Sequence, residues 1–259
     1  MNDKLPISAF IIAHNEADRI ARTIESVRGW VDEVIVIDSG SSDNTVEIAQ
    51  SLGARTLYNK WPGYGEQKRF GEDQCRNRWL LNLDADEEIT PPLAREIAGL
   101  FQNGEPEVTG YIIPRRELLP GESGLAPFIH TNSCLRLYNR ENARFSDSPV
   151  HDSVIVYKGS TQRLKQSMLH YTFRDIAHAL RKLNSYSSAQ AENLQKRGMK
   201  FAMLRLFFEF PAAFFKDYIL RLYILRGWRG FVYSVIYAFW RFVRVAKYLE
   251  QKKSRNLEV

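Results

Sequence analysis

Cysteine is nearly absent: Cys75 and Cys134 are the only two in 259 residues. That is too few for a disulfide framework, and free thiols in a reducing compartment are expected. The apolar tail lacks the run of about 20 apolar residues that a membrane span needs. Its longest stretch without a charge is Gly230 to Trp240. No G-x-G-x-x-G follows the first apolar segment, which argues against a dinucleotide-dependent dehydrogenase. No secretory leader is expected, because Met1 to Pro6 is polar and the apolar stretch after it stops at His14. Internal repeats and low-complexity segments are also missing.

What is present is ordinary globular composition, 44% hydrophobic and 25% charged, with an uneven distribution of charge. Residues 199–255 hold 12 Lys or Arg against three acids, a balance of +9 within a net +6, so the remainder carries −3. The same tail holds 16 of the 32 aromatic residues. A mildly acidic body with a basic, aromatic tail suggests two jobs. The tail's expected partner is an anionic membrane surface rather than nucleic acid, with helices lying in the interface and basic side chains reaching the headgroups. A helical cap or dimer interface is the plainer alternative. The expected boundary divides 1–198 from 199–259.

The body alternates strand and helix. Ile7–Ala13 is apolar and of strand length, and Ala17–Arg28 has helical spacing at Ile20, Ile24 and Val27. Glu33–Ile37 reads as a buried strand running into the tight turn Asp38–Thr45, where Ser42 or Asp43 can cap the next helix. Ala54–Tyr58 predicts a third strand and Glu66–Arg76 a polar helix. Trp79–Leu83 predicts a central strand, and Thr90-Pro91-Pro92 a helix start. This order predicts an α/β, Rossmann-like, mostly parallel sheet with helices on both faces. Val108–Arg116, Ser133–Asn139, Val154–Tyr157 and Ser167–Tyr171 read as further strands, and Asp175–Lys196 as a long helix. The tail reads as helical, broken near Pro211 and around Gly227 and Gly230.

The chemistry concentrates at the end of Trp79–Ile89, WLLNLDADEEI. Asp84, Asp86, Glu87 and Glu88 are four acids in five residues, placed where open α/β sheets bind ligands. Paired aspartates there can hold a divalent cation that neutralises phosphates. A solvated loop would explain the cluster equally well by itself.

Four landmarks stand in order: HNE at His14–Glu16, DSGSSD from Asp38, Lys68-Arg69, and DAD at Asp84–Asp86. This set resembles the family-2 glycosyltransferases of the GT-A fold. GYGEQK, SPVHDSV, LHY and the basic tail widen the similarity to bacterial lipopolysaccharide core glycosyltransferases. The resemblance implies a nucleotide-sugar site made by Ala13, His14, Asn15, Glu16, Asp38, Lys68, Asp84 and Ala85. Asp38 would accept from uracil N3–H, with His14 standing where the family usually has tyrosine. Lys68 would lie near the diphosphate, and its plainer reading is a solvated helix face. Asp84 would meet the ribose, and Asp86 would ligate Mg2+ or Mn2+ with His170 as a candidate partner. Glu87 and Glu88 are expected to face solvent or the acceptor channel. Asp152 is the candidate base, where the pattern usually has glutamate. His151, Arg115, Arg116 and Arg136 are candidate acceptor contacts.

The implied activity is inverting, metal-dependent transfer of a hexose, glucose foremost, from a UDP-sugar to the heptose inner core of a lipid-anchored oligosaccharide. The expected place is the cytoplasmic face of the bacterial inner membrane, peripherally bound. Rival readings are a polyprenyl-phosphate or capsule acceptor, and a non-catalytic nucleotide- or membrane-binding scaffold.

Overall fold

The computed structural model describes residues 4–122, 131–147 and 153–255. Contacts divide the chain into two compact units, Met1–Arg116 with Thr131–His170, and Glu117–His130 with Tyr171–Val259. Composition alone places the boundary at 198/199. Packing places it at 170/171 and groups the long helix that follows with the tail.

The first unit runs β1 Leu5–Ala13, α1 Ile20–Glu25, β2 Val31–Asp38, α2 Thr45–Ser51, β3 Arg55–Tyr58, α3 Tyr64–Gln74, β4 Trp79–Asp84, β5 Glu87–Glu88 and α4 Pro91–Leu100. It continues with β6 Gly110–Glu117, β7 Thr131–Asn139, β8 Ala143–Phe145, β9 Val154–Val156, β10 Thr161–Arg163 and β11 Met168–His170. Among the described residues, one nine-stranded sheet has the order β3-β2-β1-β4-β7-β6-β11-β5, with β10 beside β6. The first four strands are parallel, as the alternation predicts. Strand β7 is antiparallel to both β4 and β6, so the whole sheet is mixed.

Side chains of β1 alternate between two cores, as a period of two requires. Ile7, Ala9 and Ile11 join Ile20, Ile24, Leu93 and Ile97 on one face. Phe10 and Ile12 join Ile35, Leu80, Tyr138 and Phe145 on the other. Helix α3 covers that second face closely: a Cβ on Gly71 would lie 2.7 Å from the Phe10 ring. Thr90 caps α4 by accepting from Leu93 N at 3.3 Å, ahead of prolines in the first turn.

One topological fact positions the site. Strand β5 begins three residues after β4 ends, yet it pairs with β11 at the far end of the strand order. The sheet therefore curls, and its last strands return to the carboxyl end of β4. In this register His170 lies opposite Glu87.

In the second unit, α5 Ile176–Arg197 is capped by Asp175, which accepts from His178 N at 2.6 Å. Then come α6 Ala202–Phe215, a π turn Lys216–Leu220, a 3-10 turn Tyr223–Arg226 and α7 Gly227–Arg255. The expected break at Pro211 is absent, since Pro211 lies inside α6. The expected break around Gly227 is present: two tight turns span 216–226, and Leu222 and Gly227 both take φ of 60°. Gly230 is required by close approach: a Cβ there would lie 1.8 Å from the Tyr223 carbonyl oxygen.

Candidate active site

The loops after β1 and β2 are stitched together by short polar side chains. Asn15 N donates to Ser41 Oγ at 2.9 Å, and Asn15 Oδ1 accepts from Ser42 N at 2.8 Å. Glu16 N donates to Thr45 Oγ1 at 2.8 Å. Asp43 accepts from Ala17 N and from Thr45 N, each at 3.1 Å, so it both fastens the two loops and holds the start of α2. Asn15 takes φ of 55°, a left-handed turn that asparagine tolerates.

Asp38 is buried at the end of β2 and accepts from Gly40 N at 2.8 Å and Ser41 N at 2.9 Å. Its own turn thus fixes the carboxylate, while a carboxylate's roughly four lone-pair directions leave room for another donor. Ala13 is buried beside it, and His14 is exposed at the mouth of the same turn.

Helix α3 buries a polar face. Gln67 and Lys68 are fully buried and Glu72 nearly so, which excludes a solvated helix face for Lys68. Gln67 donates to Ser39 Oγ at 3.1 Å and accepts from Asn59 at 2.6 Å, joining the loops after β2 and β3. Lys68 Nζ lies 3.0 Å from Asp84 Oδ1, over the Phe145 ring.

On the other side of Asp84 stands Arg136, 4% exposed, on β7. Its guanidinium donates to Asp84 Oδ2 and Glu87 Oε1, each at 2.7 Å, and to Asn82 Oδ1. Asp84 thus holds a cation on each oxygen. Burial raises its pKa, but the charges of Arg136 and Lys68 outweigh burial and hold the carboxyl well below the usual range. Burial alone would lower the Arg136 pKa, and Asp84 and Glu87 instead hold it well above the ordinary guanidinium value.

Glu87 corrects an expectation. It is fully buried rather than facing solvent, accepting from Asp84 N at 3.0 Å and pairing with Arg136 and with Arg115 at 3.2 Å. Arg136 and Arg115 are therefore engaged with the acidic turn itself. Arg116 lies on the same strand as Arg115, its Nε buried without a hydrogen-bond partner. Thr23 of α1 pins the turn by donating to Ala85 O at 2.9 Å.

Asp86 faces two groups, His170 Nε2 at 3.4 Å and Arg19 at 3.5 Å. Burial raises its pKa, and the hydrogen bond and charge of His170, with Arg19, bring it below the usual value. Arg19 also forks onto Glu16. The sequence reading missed Arg19. Its one local signal is the i, i+3 spacing from Glu16, while its contact to Asp86 spans 67 residues.

The pair Asp86–His170 suits a divalent cation. Neighbouring ligands of an octahedral ion with bonds of about 2.1 Å stand about 3 Å apart. The 3.4 Å between Asp86 Oδ1 and His170 Nε2 is close to that spacing. Among the described residues no cluster of three or more His, Cys, Asp or Glu side chains could hold a metal. Two protein donors would leave the rest of an ion's shell to water and phosphate oxygens. His151 and Asp152 lie outside the described residues.

Residues 8–167 match the family described as Glycosyl transferase family 2. An uncharacterised glycosyltransferase of Rickettsia felis is 43% identical, over 97% of this chain and 92% of its own. The lipopolysaccharide core biosynthesis glycosyltransferase LpsC of Rhizobium meliloti is 32% identical, over 95% of this chain and 93% of its own. Among solved structures, glucosyl-3-phosphoglycerate synthase of Mycobacterium tuberculosis, in complex with Mn2+ and UDP, is similar over 44% of each chain, with 27% identity and a TM-score of 0.34.

Proposed function

The chain belongs to family 2 of the glycosyl transferases, and from that premise we propose that it moves a hexose, glucose foremost, from a UDP-sugar to the heptose inner core of lipopolysaccharide, with inversion. The observation that carries the donor half is the clamped acidic turn. Asp84 is held between Lys68 and Arg136, and Asp86 stands beside it facing His170. The acceptor half is supported by the similarity, over nearly the whole chain, to a lipopolysaccharide core glycosyltransferase.

In this reading Asp38 accepts the uracil N3–H, a donor that the remaining lone pair of Oδ1 suits beside the Ser41 hydroxyl, while Ala13 and His14 border the base. Asp84 accepts from the ribose hydroxyls. Lys68 gives charge to the diphosphate side. Asp86 and His170 hold Mg2+ or Mn2+, which when bound supplies positive charge to the leaving diphosphate. Asp152 takes the proton of the acceptor hydroxyl as that oxygen bonds to the anomeric carbon. The bond to the UDP oxygen breaks on the opposite face, and its electron pair leaves with UDP. Residues 1–198 carry the transferase chemistry, with His151 and Arg116 toward the acceptor, while Arg115 braces Glu87. Arg136 serves mainly to hold Asp84 and Glu87.

No described helix is long and apolar enough to cross a membrane. Residues 199–255 hold the enzyme peripherally on anionic lipid at the cytoplasmic face of the inner membrane, where a lipid-anchored acceptor is presented; no nucleic-acid partner is involved. UDP release is measured with UDP-glucose and a heptose-terminated core, with and without EDTA. The expected result is transfer that EDTA stops and Asp152→Asn abolishes. A protein that neither binds UDP-glucose nor transfers from it overturns the reading.

A further inference from the structure

Half of the tail's cations are already engaged inside the second unit. Of 12 Lys and Arg in 199–255, Arg221 pairs with Asp217 and Arg226 with Glu122. Arg241 and Arg244 both grip Glu209. Arg229 donates to Pro120 O at 3.0 Å, and Lys247 reaches Asn184, Ser187 and Ser188. Around α6 the outward cations are Lys200, Arg205 and Lys216.

What faces outward there is mostly apolar. Phe201 is 77% exposed, Phe207 70%, Phe208 62%, Leu220 66%, Leu225 61% and Trp228 62%. The two acids of this stretch, Glu209 and Asp217, are buried at 8% and 3%. From Phe201 to Phe231 no acid is exposed.

We propose that Phe201–Phe231 inserts into the membrane by burying its apolar side chains among lipid acyl chains, with Lys200, Arg205 and Lys216 adding a secondary attraction to headgroup phosphates. This rests on the membrane reading above and narrows it, from the basic charge of the whole tail to the apolar face of one segment. A lipid surface matches the patch on both counts, an apolar interior beneath an anionic layer. A second copy matches poorly. A two-fold interface brings the same patch against itself, so three cations would face three cations with no exposed acid to answer them.

The test is co-sedimentation of the full chain with vesicles of pure phosphatidylcholine, and of phosphatidylcholine mixed with phosphatidylglycerol, at low and high salt. Binding to pure phosphatidylcholine is expected, falling no more than about threefold with salt, because apolar burial is not screened. The double variant Phe207→Ser, Phe208→Ser should weaken binding to both vesicles on the order of tenfold or more, since affinity follows buried apolar area. Lys200→Gln with Arg205→Gln and Lys216→Gln should remove only the extra affinity for the mixed vesicles. Quenching by brominated acyl chains should fall in Trp228→Phe. Binding confined to phosphatidylglycerol and abolished by salt overturns the proposal. So does a wild-type dimer that the Phe207/Phe208 variant converts to monomer. Transfer to a soluble, lipid-free acceptor is measured in parallel and should be unchanged in that variant. Absence of transfer in the wild type would instead overturn the proposed reaction and leave the vesicle result standing.

Discussion

Glu209 in one unit and Asp84 in the other are each held between two arginine or lysine side chains, and they do different work. Glu209 in the second unit accepts from Arg241 and Arg244, each at 2.7 Å, and all three lie on α6 and α7. Asp84 in the first unit sits between Lys68 and Arg136 at the carboxyl end of a buried strand, 28% exposed, with Asp86 and His170 beside it. The helix cluster uses its charges to join two helices. The strand-end cluster keeps its carboxylates ionised, aimed and partly accessible. A charge count gives both the same weight, although only the second leaves charged oxygens available to a ligand.

The largest effect is expected of Arg136→Ala. Removing one partner of a buried ion pair strands the other, at a cost of about 3–5 kcal/mol. A loss of this size in the unfolding free energy from denaturant titration, with loss of donor binding, is expected because Asp84 and Glu87 would then face each other without their shared cation. Asp86→Ala separates chemistry from folding. Transfer should fall by about 10²–10³-fold, the range for removing one stabiliser of developing charge. The melting temperature should fall by only a few degrees, because Arg19 keeps Glu16. Glu209→Ala should cost less, about 1–3 kcal/mol, because Arg241 is 31% exposed and rehydrates while Arg244, 14% exposed, keeps its bond to Gln190. Its kcat on a soluble acceptor should match wild type.

The smallest effects concern pH. Asp84 and Asp86 have folded pKa values below their unfolded ones. Their contribution to stability is therefore present above the unfolded value and is lost as pH falls through the folded one. Metal-free UDP affinity, measured by calorimetry in EDTA, should stay flat from neutral pH down past about pH 5. Glu72 behaves oppositely. Burial raises its pKa against the hydrogen bonds from Tyr138 and Phe145, so its contribution is present below the unfolded value and is lost as pH rises through the folded one. Glu72→Gln should flatten that loss, read as a melting temperature less dependent on pH between about 4 and 8.

Much of the site was legible because it is local. Asp38 and the DAD turn end apolar runs, and a buried run followed by acids marks a strand end whatever surrounds it. Lys68 was legible as a residue but not as a buried one. The polar composition of α3 reads as a solvated face, and its burial comes from Gly71 letting the helix lie against Phe10. Arg19 and Arg136 reach their acidic partners across 67 and 52 residues, a distance that no spacing rule covers. Strand β5 has two residues, too few for any periodicity to show.

Sequence by itself determined the alternation of strands and helices, the parallel half of the sheet, and the acids and turn residues at the strand ends. Each of these follows from apolar period and turn chemistry within a few neighbouring residues. Only the tertiary structure decided which charges meet. Register sets Leu81 opposite Leu137, and with it Arg136 within reach of Asn82 and Asp84. The curl of the sheet brings His170 beside Asp86. Ion pairing depends on distances of a few ångströms between residues remote in sequence, and those distances exist only once the sheet has closed.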